Sequence, residues 1–429
     1  MPQIRITQPQ YAAQFQCIGP ACEDTCCRGW NIHVEKPAYD KYHALPAGPL
    51  REMLVQHIAP VPQGSTPGSP GAYGRMQLTA EGSCPLLTGE GLCRIHAELG
   101  PEYLCHTCAQ YPRVTHTIDT LPETSLLLSC PEAARLVLLN PGLPNPDPLN
   151  PDQPGGGRQH TYSFRWEERP NRVAPLSAYF WAIRDFCVRM VRDRRYALWQ
   201  RLFLLGVFTR RLDALRLDAL TDGRLERGFP EMLADFSSAV DSGGLSTLIE
   251  SIQPDAALQL SLVLMLLKLR LANRVLEPRL RQIFDEFMAG IGNAEQHSFA
   301  GQLTRYQTAY AEVYEPFFAE RPGFLENYLL NQIFATLFPF GRDALCGETQ
   351  PEVLKSYTEL VSRFALLKGV LIGVAGHYGA QFSLDHAVRT VQVVTKFFDH
   401  NPQFIAQTQE LLKQKKKDDA RGLTMLLRN

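Results

Sequence analysis

The chain reads as a mainly α protein, with a cysteine-rich metal-binding N-terminal region of little regular structure followed by a multi-helix C-terminal domain. Three observations predict this. Nine of the eleven cysteines lie in the first 130 of the 429 residues. Residues 140–160 hold six prolines and four glycines, a density that no helix or central strand survives. Beyond them apolar residues recur at three- and four-residue spacing, with no βαβ alternation and no fixed-period repeat.

From the N-terminus, the first cysteine group is Cys17, Cys22, Cys26 and Cys27. Residues 59–74 are rich in Pro, Gly and Ser and read as a flexible surface insertion. The second group follows as Cys84, Cys93, Cys105 and Cys108. Region 1–139 is therefore the cysteine-rich unit, 140–160 a linker, and 161–429 a helical domain. In that domain Leu176, Phe180, Ile183, Phe186 and Met190 form one apolar helix face, with Ser177 as its N-cap. Similar patterns predict helices over 196–220, 256–272, 274–290, 302–320, 324–338, 351–376, 384–398 and 403–414, punctuated by prolines.

Composition narrows the classes. A hydrophobic content of 45% with 20% charged residues is that of an ordinary globular protein. The formal net charge of −1 argues against nonspecific nucleic-acid binding by the whole chain. The polar start MPQIRITQPQ lacks a basic-then-apolar leader, and the ten-residue apolar run Leu258–Leu267 suits a buried helix better than a membrane span. A cytoplasmic protein is expected, without a membrane or nucleic-acid partner. Residues 165–216 carry twelve arginines against five acids, a basic helix face or a surface for an acidic partner.

In a reducing compartment, thiols this dense point to metal or catalysis rather than disulfides. Soft thiolate sulfur suits zinc or iron, and four ligands complete a tetrahedral zinc site or a 4Fe–4S cluster. Cys26-Cys27 and Cys105-x2-Cys108 each let one turn supply two ligands, whereas the gap from Cys27 to Cys84 must be closed by the fold. Eight thiols leave open one site or two. His96 and His106 are possible nitrogen ligands. Cys130, Cys187 and Cys346 stand apart and read as buried small hydrophobes.

The stretches Phe15-Gln16-Cys17-Ile18-Gly19, Glu23-Asp24-Thr25-Cys26-Cys27-Arg28-Gly29-Trp30, Lys36-Pro37-x-Tyr39-Asp40 and Leu367-Lys368-Gly369 to Gly376 carry a resemblance. The cysteine pattern, with Cys84-Pro-Leu-Leu and Gly91-x-Cys93-x-Ile-His, resembles the zinc- or iron-chelating CxxCxxCC family. The longer likeness is to the bacterial flagellin lysine-N-methylases. It implies a cytoplasmic enzyme that moves a methyl group from S-adenosylmethionine to surface lysines of flagellin, with an iron–sulfur cluster in place of zinc. The helical domain would then recognise the protein substrate.

The chain lacks two common signatures of S-adenosylmethionine use. No strand–GxGxxG–helix start is present, and Gly369, Gly373 and Gly376 read as tight helix packing. Cys22-x3-Cys26 begins the radical-enzyme loop, but Gly29 stands where its third cysteine belongs. Tyr39, Asp40, Tyr103 and Tyr111 lie beside the cysteine groups and are the candidates to accept an amine proton or line a lysine channel. Trp30 is placed to shield a cluster. The competing expectation is a non-catalytic metal-binding or redox-sensing module on a helical partner-binding scaffold.

Overall fold

The computed structural model describes residues 10–29, 32–61, 72–118, 121–141, 162–164, 176, 179–222, 225–272, 278–293, 295–341, 353–399, 408, 410, 413–414 and 420–429. Most of the expected linker, Trp30, Ser177, Cys346, residues 165–175 and nearly all of the expected 403–414 helix lie outside these residues.

The N-terminal third consists of short elements: α1 (Gln10–Gln14), β1 (His33–Glu35), α2 (Lys36–His43), α3 (Pro49–His57), β2 (Ile58–Pro60), β3 (Ala72–Met76), α4 (Arg94–Leu99), α5 (His106–Gln110), β4 (Arg113–Ile118), β5 (Leu121–Leu126) and α6 (Pro131–Leu138). The expected insertion at 59–74 needs correction at both ends. β2 and β3 pair antiparallel there, Ile58 opposite Met76, and β1 adds to the other edge of β3. Residues 62–71, which carry most of the Pro/Gly/Ser composition, lie outside the described residues. A second sheet has the order β5-β4-β6, with β6 (Tyr162–Phe164) parallel to β4.

The rest is helical: α7 (Phe180–Arg192), α8 (Leu198–Asp222), α9 (Leu225–Asp241), α10 (Ser246–Glu250), α11 (Ala256–Ala272), α12 (Pro278–Ile291), α13 (Phe299–Ala309), α14 (Glu315–Ala319), α15 (Pro322–Ala335), α16 (Val353–Tyr378), α17 (Leu384–Val394) and α18 (Ala420–Met425). Two wide π turns, Tyr310–Tyr314 and Thr395–Asp399, continue α13 and α17. Apart from 403–414, the expected helices appear close to their predicted bounds. The sequence reading passed over α9, where Gly228 and Pro230 sit near the start of a face carried by Phe229, Phe236 and Val240.

The central element is α16. It is long and apolar enough to cross a membrane, yet 83% of its most apolar window is buried inside the protein. Its glycines pack as the sequence suggests. A Cβ at Gly290 would collide with the Gly373 carbonyl, one at Gly373 with the Phe287 ring, and one at Gly376 would come 2.7 Å from Ala309 Cβ.

The apolar residues divide into two cores. Ile32, Val34, Tyr42, Leu54, Ile58, Leu86 and Ile95 form a small one around the thiols Cys84 and Cys105. Tyr11, Phe15, Ile118, Leu126, Ala133 and Val137 belong to the large helical core instead. Part of the N-terminal third is therefore built into the helical body.

A buried ion pair fixes this junction. Arg184 on α7 donates to both oxygens of Glu123 on β5 at 3.0 and 2.8 Å, with side chains only 2% and 1% exposed. The guanidinium also donates to the Phe338 carbonyl at 3.3 Å and lies 4.9 Å from the centre of the Phe180 ring. Arg194 and Arg201 likewise hold Glu326 at 2.8 and 2.6 Å, so several arginines of the basic segment find acids within this chain.

The C-terminal turn is tied to α16 by Lys368, whose Nζ donates to the Leu427 carbonyl at 2.6 Å over the Tyr310 and Tyr314 rings. Burial pushes this amine down from 10.5 to about 7, with Glu315 opposing the shift.

Two predictions follow from the buried charges. Glu123→Gln leaves the Arg184 guanidinium buried without its anion and should cost about 3–5 kcal/mol in chemical denaturation. Between pH 7 and 10.5 unfolded Lys368 binds a proton that the folded residue does not. Stability should therefore rise with pH through that window. In Lys368→Met this part of the rise should vanish, read from denaturation midpoints across the same range.

Candidate metal centre

The gap from Cys27 to Cys84 is closed by backbone. Arg28 bridges Ser83, the Gly29 amide donates to the Gly82 carbonyl at 3.0 Å, and the Cys84 amide donates to the Cys27 carbonyl at 2.8 Å. Gly29 has φ +81°, a conformation open to glycine that turns the chain away after the double cysteine. From Cys84 the chain makes a tight loop: Thr88 and Leu92 pair, Leu87 bridges Cys93, and the Arg94 amide donates to the Leu86 carbonyl at 2.9 Å. Gly91, at φ +80°, makes the reversal. Cys93 and Cys105 then stand as the residues that cap α4 and α5. α5 is fastened to β1 by the His106 amide on Glu35 (3.0 Å) and the Thr107 hydroxyl on the His33 carbonyl (2.9 Å).

The two cysteine groups therefore meet in space. The Cys27 thiol hydrogen bonds to both Cys26 and Cys93, and Cys105 hydrogen bonds to Cys108. These contacts split the thiols. Cys93 is lowered to about 6, first by the bond from Cys27 and then by the His96 and Ile95 amides. Cys26 is lowered too, again chiefly through Cys27, with Lys396 adding a positive charge. Cys27 is correspondingly raised as the shared donor, and burial lifts Cys84 to about 11. The shared Cys27 proton thus favours the anionic form of the two thiols on either side of it.

All ten cysteines among the described residues are free thiols. Their donor chemistry fits a soft metal such as zinc or iron. Among the described residues, however, no group of three or more His, Cys, Asp or Glu side chains is closed about one point to hold an ion. Cys17 lies exposed at the edge, with Cys22 as its thiol neighbour. Cys187 is buried and apart, as its sequence context suggests, with Arg184 and Asp185 as charged neighbours. His96 is exposed on α4, and His106 opens α5.

The first thiol loop is held by the helical body. Both oxygens of Asp24 accept from Lys396 Nζ at 2.9 Å, and Gln392 Nε2 donates to Asp24 at 2.8 Å. Lys396 also donates to the Thr25 carbonyl at 3.1 Å, while Arg279 donates to the Glu23 carbonyl at 2.8 Å. Arg135 on α6 pairs with Glu23. Lys396 lies in the π turn after α17, a local widening of the kind often found at functional sites. None of these helical residues was singled out from the sequence; their signal is spatial.

Of the four candidate proton acceptors, one stands with this loop. Tyr111 is pushed up first by burial and then by Cys130, with Cys26 and Asp24 contributing, and its hydroxyl lies 3.1 Å from Ser129 Oγ. Tyr39 packs instead against His43 and Tyr73 with ring centres 4.3 and 4.9 Å away. Asp40 pairs with Lys36 on the surface at 2.7 Å. Tyr103 accepts the Tyr42 hydroxyl on its carbonyl at 2.8 Å, under the Lys41 ammonium.

The family model described as the FliB lysine N-methylase C-terminal domain matches residues 184–426, more than half of the chain. The chain belongs to this family. Among curated proteins, a lysine-N-methylase of Salmonella typhimurium (strain LT2) is 35% identical over 142 residues, covering 33% of this chain and 34% of that protein. A flagellar biosynthetic protein FliU of Salmonella muenchen is 34% identical over 142 residues, covering 81% of that protein. The match thus spans about a third of the length of the lysine-N-methylases. No solved structure matches. The helices that hold the thiol loop, α12 and α17 with its π turn, lie inside the matched FliB segment.

Asp24→Asn tests the clamp. Replacing the carboxylate leaves the Lys396 ammonium, 11% exposed, without its anion, and should cost about 1–3 kcal/mol. Maleimide labelling of Cys22 and Cys26 should accelerate while Cys187 stays protected, read by peptide mass spectrometry.

Proposed function

We propose that this protein is a protein-lysine N-methyltransferase that uses S-adenosylmethionine to methylate surface lysines of flagellin in the cytoplasm. The observation that carries the reading is the seating of the thiol loop on helices of the FliB segment, through Asp24, Lys396 and Gln392. The names of the lysine-N-methylase and FliU relatives support the reaction and the flagellar substrate.

Cys17, Cys22, Cys26, Cys27, Cys84, Cys93, Cys105 and Cys108 would supply the ligands of a cysteine-bound 4Fe–4S cluster, or of zinc. Their resemblance to the CxxCxxCC chelating family supports this assignment. S-adenosylmethionine would supply an electrophilic sulfonium methyl, and a metal held by these thiolates would tie the cysteine loops together. The rest falls to the chain. Cys93, lowered to about 6, is ready to act as a thiolate ligand near neutral pH, and Cys26 is shifted in the same direction. Tyr111 stays a neutral phenol and can line the path of a substrate amine beside Cys26. A deprotonated lysine amine attacks the methyl carbon in line as the carbon–sulfur bond breaks, and the surplus amine proton must then reach a base or water. Of Tyr39, Asp40, Tyr103 and Tyr111, only Tyr111 keeps a place in this proposal. The helical domain docks the folded protein substrate.

The test is the intact mass of flagellin from cells with and without this protein. Lysine-mapped increments of one or more methyl groups, present only with the protein, are expected. Identical flagellin in both, with the protein expressed and metal-loaded, would overturn the substrate and reaction, leaving a metal-binding module on a helical scaffold.

A further inference from the structure

We infer that Asp399 is a positioning residue for the first thiol loop: its bond to Gln332 anchors the π turn after α17 so that Lys396 meets Asp24. The inference rests on the reading of that loop as part of the methyl-transfer site, and it names the residue that holds the grip from within the helical body.

The π turn Thr395–Asp399 is a rare local widening, and its first residue shows the cause. The Thr395 hydroxyl donates to the carbonyls of Val391 (2.9 Å) and Gln392 (3.0 Å), a back-bonding that bends a helix end. The two charged residues of the turn then reach different parts of the molecule. Lys396 leaves the body for the thiol loop, where it bonds both Asp24 oxygens at 2.9 Å and the Thr25 carbonyl at 3.1 Å. Asp399 turns into the body. Its Oδ2 accepts from Gln332 Nε2 on α15 at 3.0 Å, and its Oδ1 lies 3.8 Å from Arg363 Nε on α16. Phe397 and Phe398, between the two, are buried in the large core.

The tie is sheltered enough to hold. Gln332 is 6% exposed, and the Asp399 and Arg363 side chains are 14% and 11% exposed. A charge-assisted bond in such surroundings is stronger than the same bond in water. Lys396 needs it more than the other donors to the loop do. Gln392, Arg279 and Arg135 stand on the regular helices α17, α12 and α6, whose own ladders fix their backbones. Lys396 stands beyond the last regular turn of α17, on a flexible four-carbon stem. Its ammonium orients Asp24 only where the turn that carries it is itself held, and Asp399 holds the far end of that turn.

Maleimide labelling of the reduced, metal-free full-length protein reads the loop without cofactor or metal, with peptide mass spectrometry giving the rate at each thiol. Asp399→Ala should label Cys22 and Cys26 about fivefold faster or more, with buried Cys187 unchanged. Asp399→Asn keeps an oxygen for Gln332 and should label within about twofold of the wild type. Added to Asp24→Asn, Asp399→Ala should bring no further acceleration, because both act through Lys396. A folded Asp399→Ala that labels like the wild type, an Asp399→Asn as fast as Asp399→Ala, or accelerations that multiply in the double variant would each overturn the inference. If Asp399→Ala does not fold, Gln332→Met removes the same bond from α15. The same acceleration is then expected, and wild-type labelling overturns the inference. Affinity for S-adenosylhomocysteine ties the loop to the site. Asp399→Ala should bind it about fivefold more weakly, and a loosened loop with unchanged affinity overturns the role of Asp399 in the site. A wild type that binds none overturns the methyl-transfer reading instead, while the labelling still decides whether Asp399 anchors the loop.

Discussion

The contact between Asp24 and Lys396 is the interaction on which the site depends. A short loop carrying Cys22, Cys26 and Cys27 has almost no apolar residues with which to anchor itself. Its position comes from charge and hydrogen bonds: Asp24 to Lys396 and Gln392, Glu23 to Arg135, and the Glu23 carbonyl to Arg279. With side chains 9% and 11% exposed, the Asp24–Lys396 pair is shielded enough to matter and strongly orienting. The consequence is a composite centre. The small core presents Cys84, Cys93, Cys105 and Cys108, the helical body grips the first loop, and Cys27 joins the two through its thiol contacts.

The helical body is rigid where this grip originates. Gly290, Gly373 and Gly376 let α12 and α16 approach so closely that a methyl group on any of them would strike its neighbour. Arg279 stands at the start of α12, and Gln392 lies on α17, which packs against both helices. Glu286 on α12 binds Arg389 of α17 at 2.7 Å, adding a polar tie between the same elements. Donors fixed on close-packed helices place the loop more firmly than a surface contact could. The same body incorporates β5 and α6, with the Arg184–Glu123 pair at the junction, and Gln392 also donates to the Ser129 carbonyl just before α6.

Much of this was legible in the sequence. Periodicity located most of the helices because their burial is one-sided and repeats every three or four residues. The glycines of α16 announced a close crossing, because small residues at that spacing leave room for a partner helix. Thiol spacing located Cys26-Cys27 and Cys105-x2-Cys108 as local pairs, since one turn sets their separation. Other features were not legible. Lys396, Gln392 and Arg279 are distant in sequence from the first cysteine loop, and nothing local marks a side chain that meets it only after folding. Asp40 read as a site residue by its neighbourhood in sequence, while α2 turns it outward to Lys36. The strands β2 and β3 were hidden because they border a stretch rich in Pro, Gly and Ser.

Hydrogen exchange on addition of S-adenosylhomocysteine tests most directly whether this composite seam is the working site. The account predicts protection concentrated in residues 22–29, 84–93, 129–135 and 392–399, with the remaining helices unchanged. Binding that leaves those four segments exchanging as before, and protects another surface of the helical body instead, would contradict it.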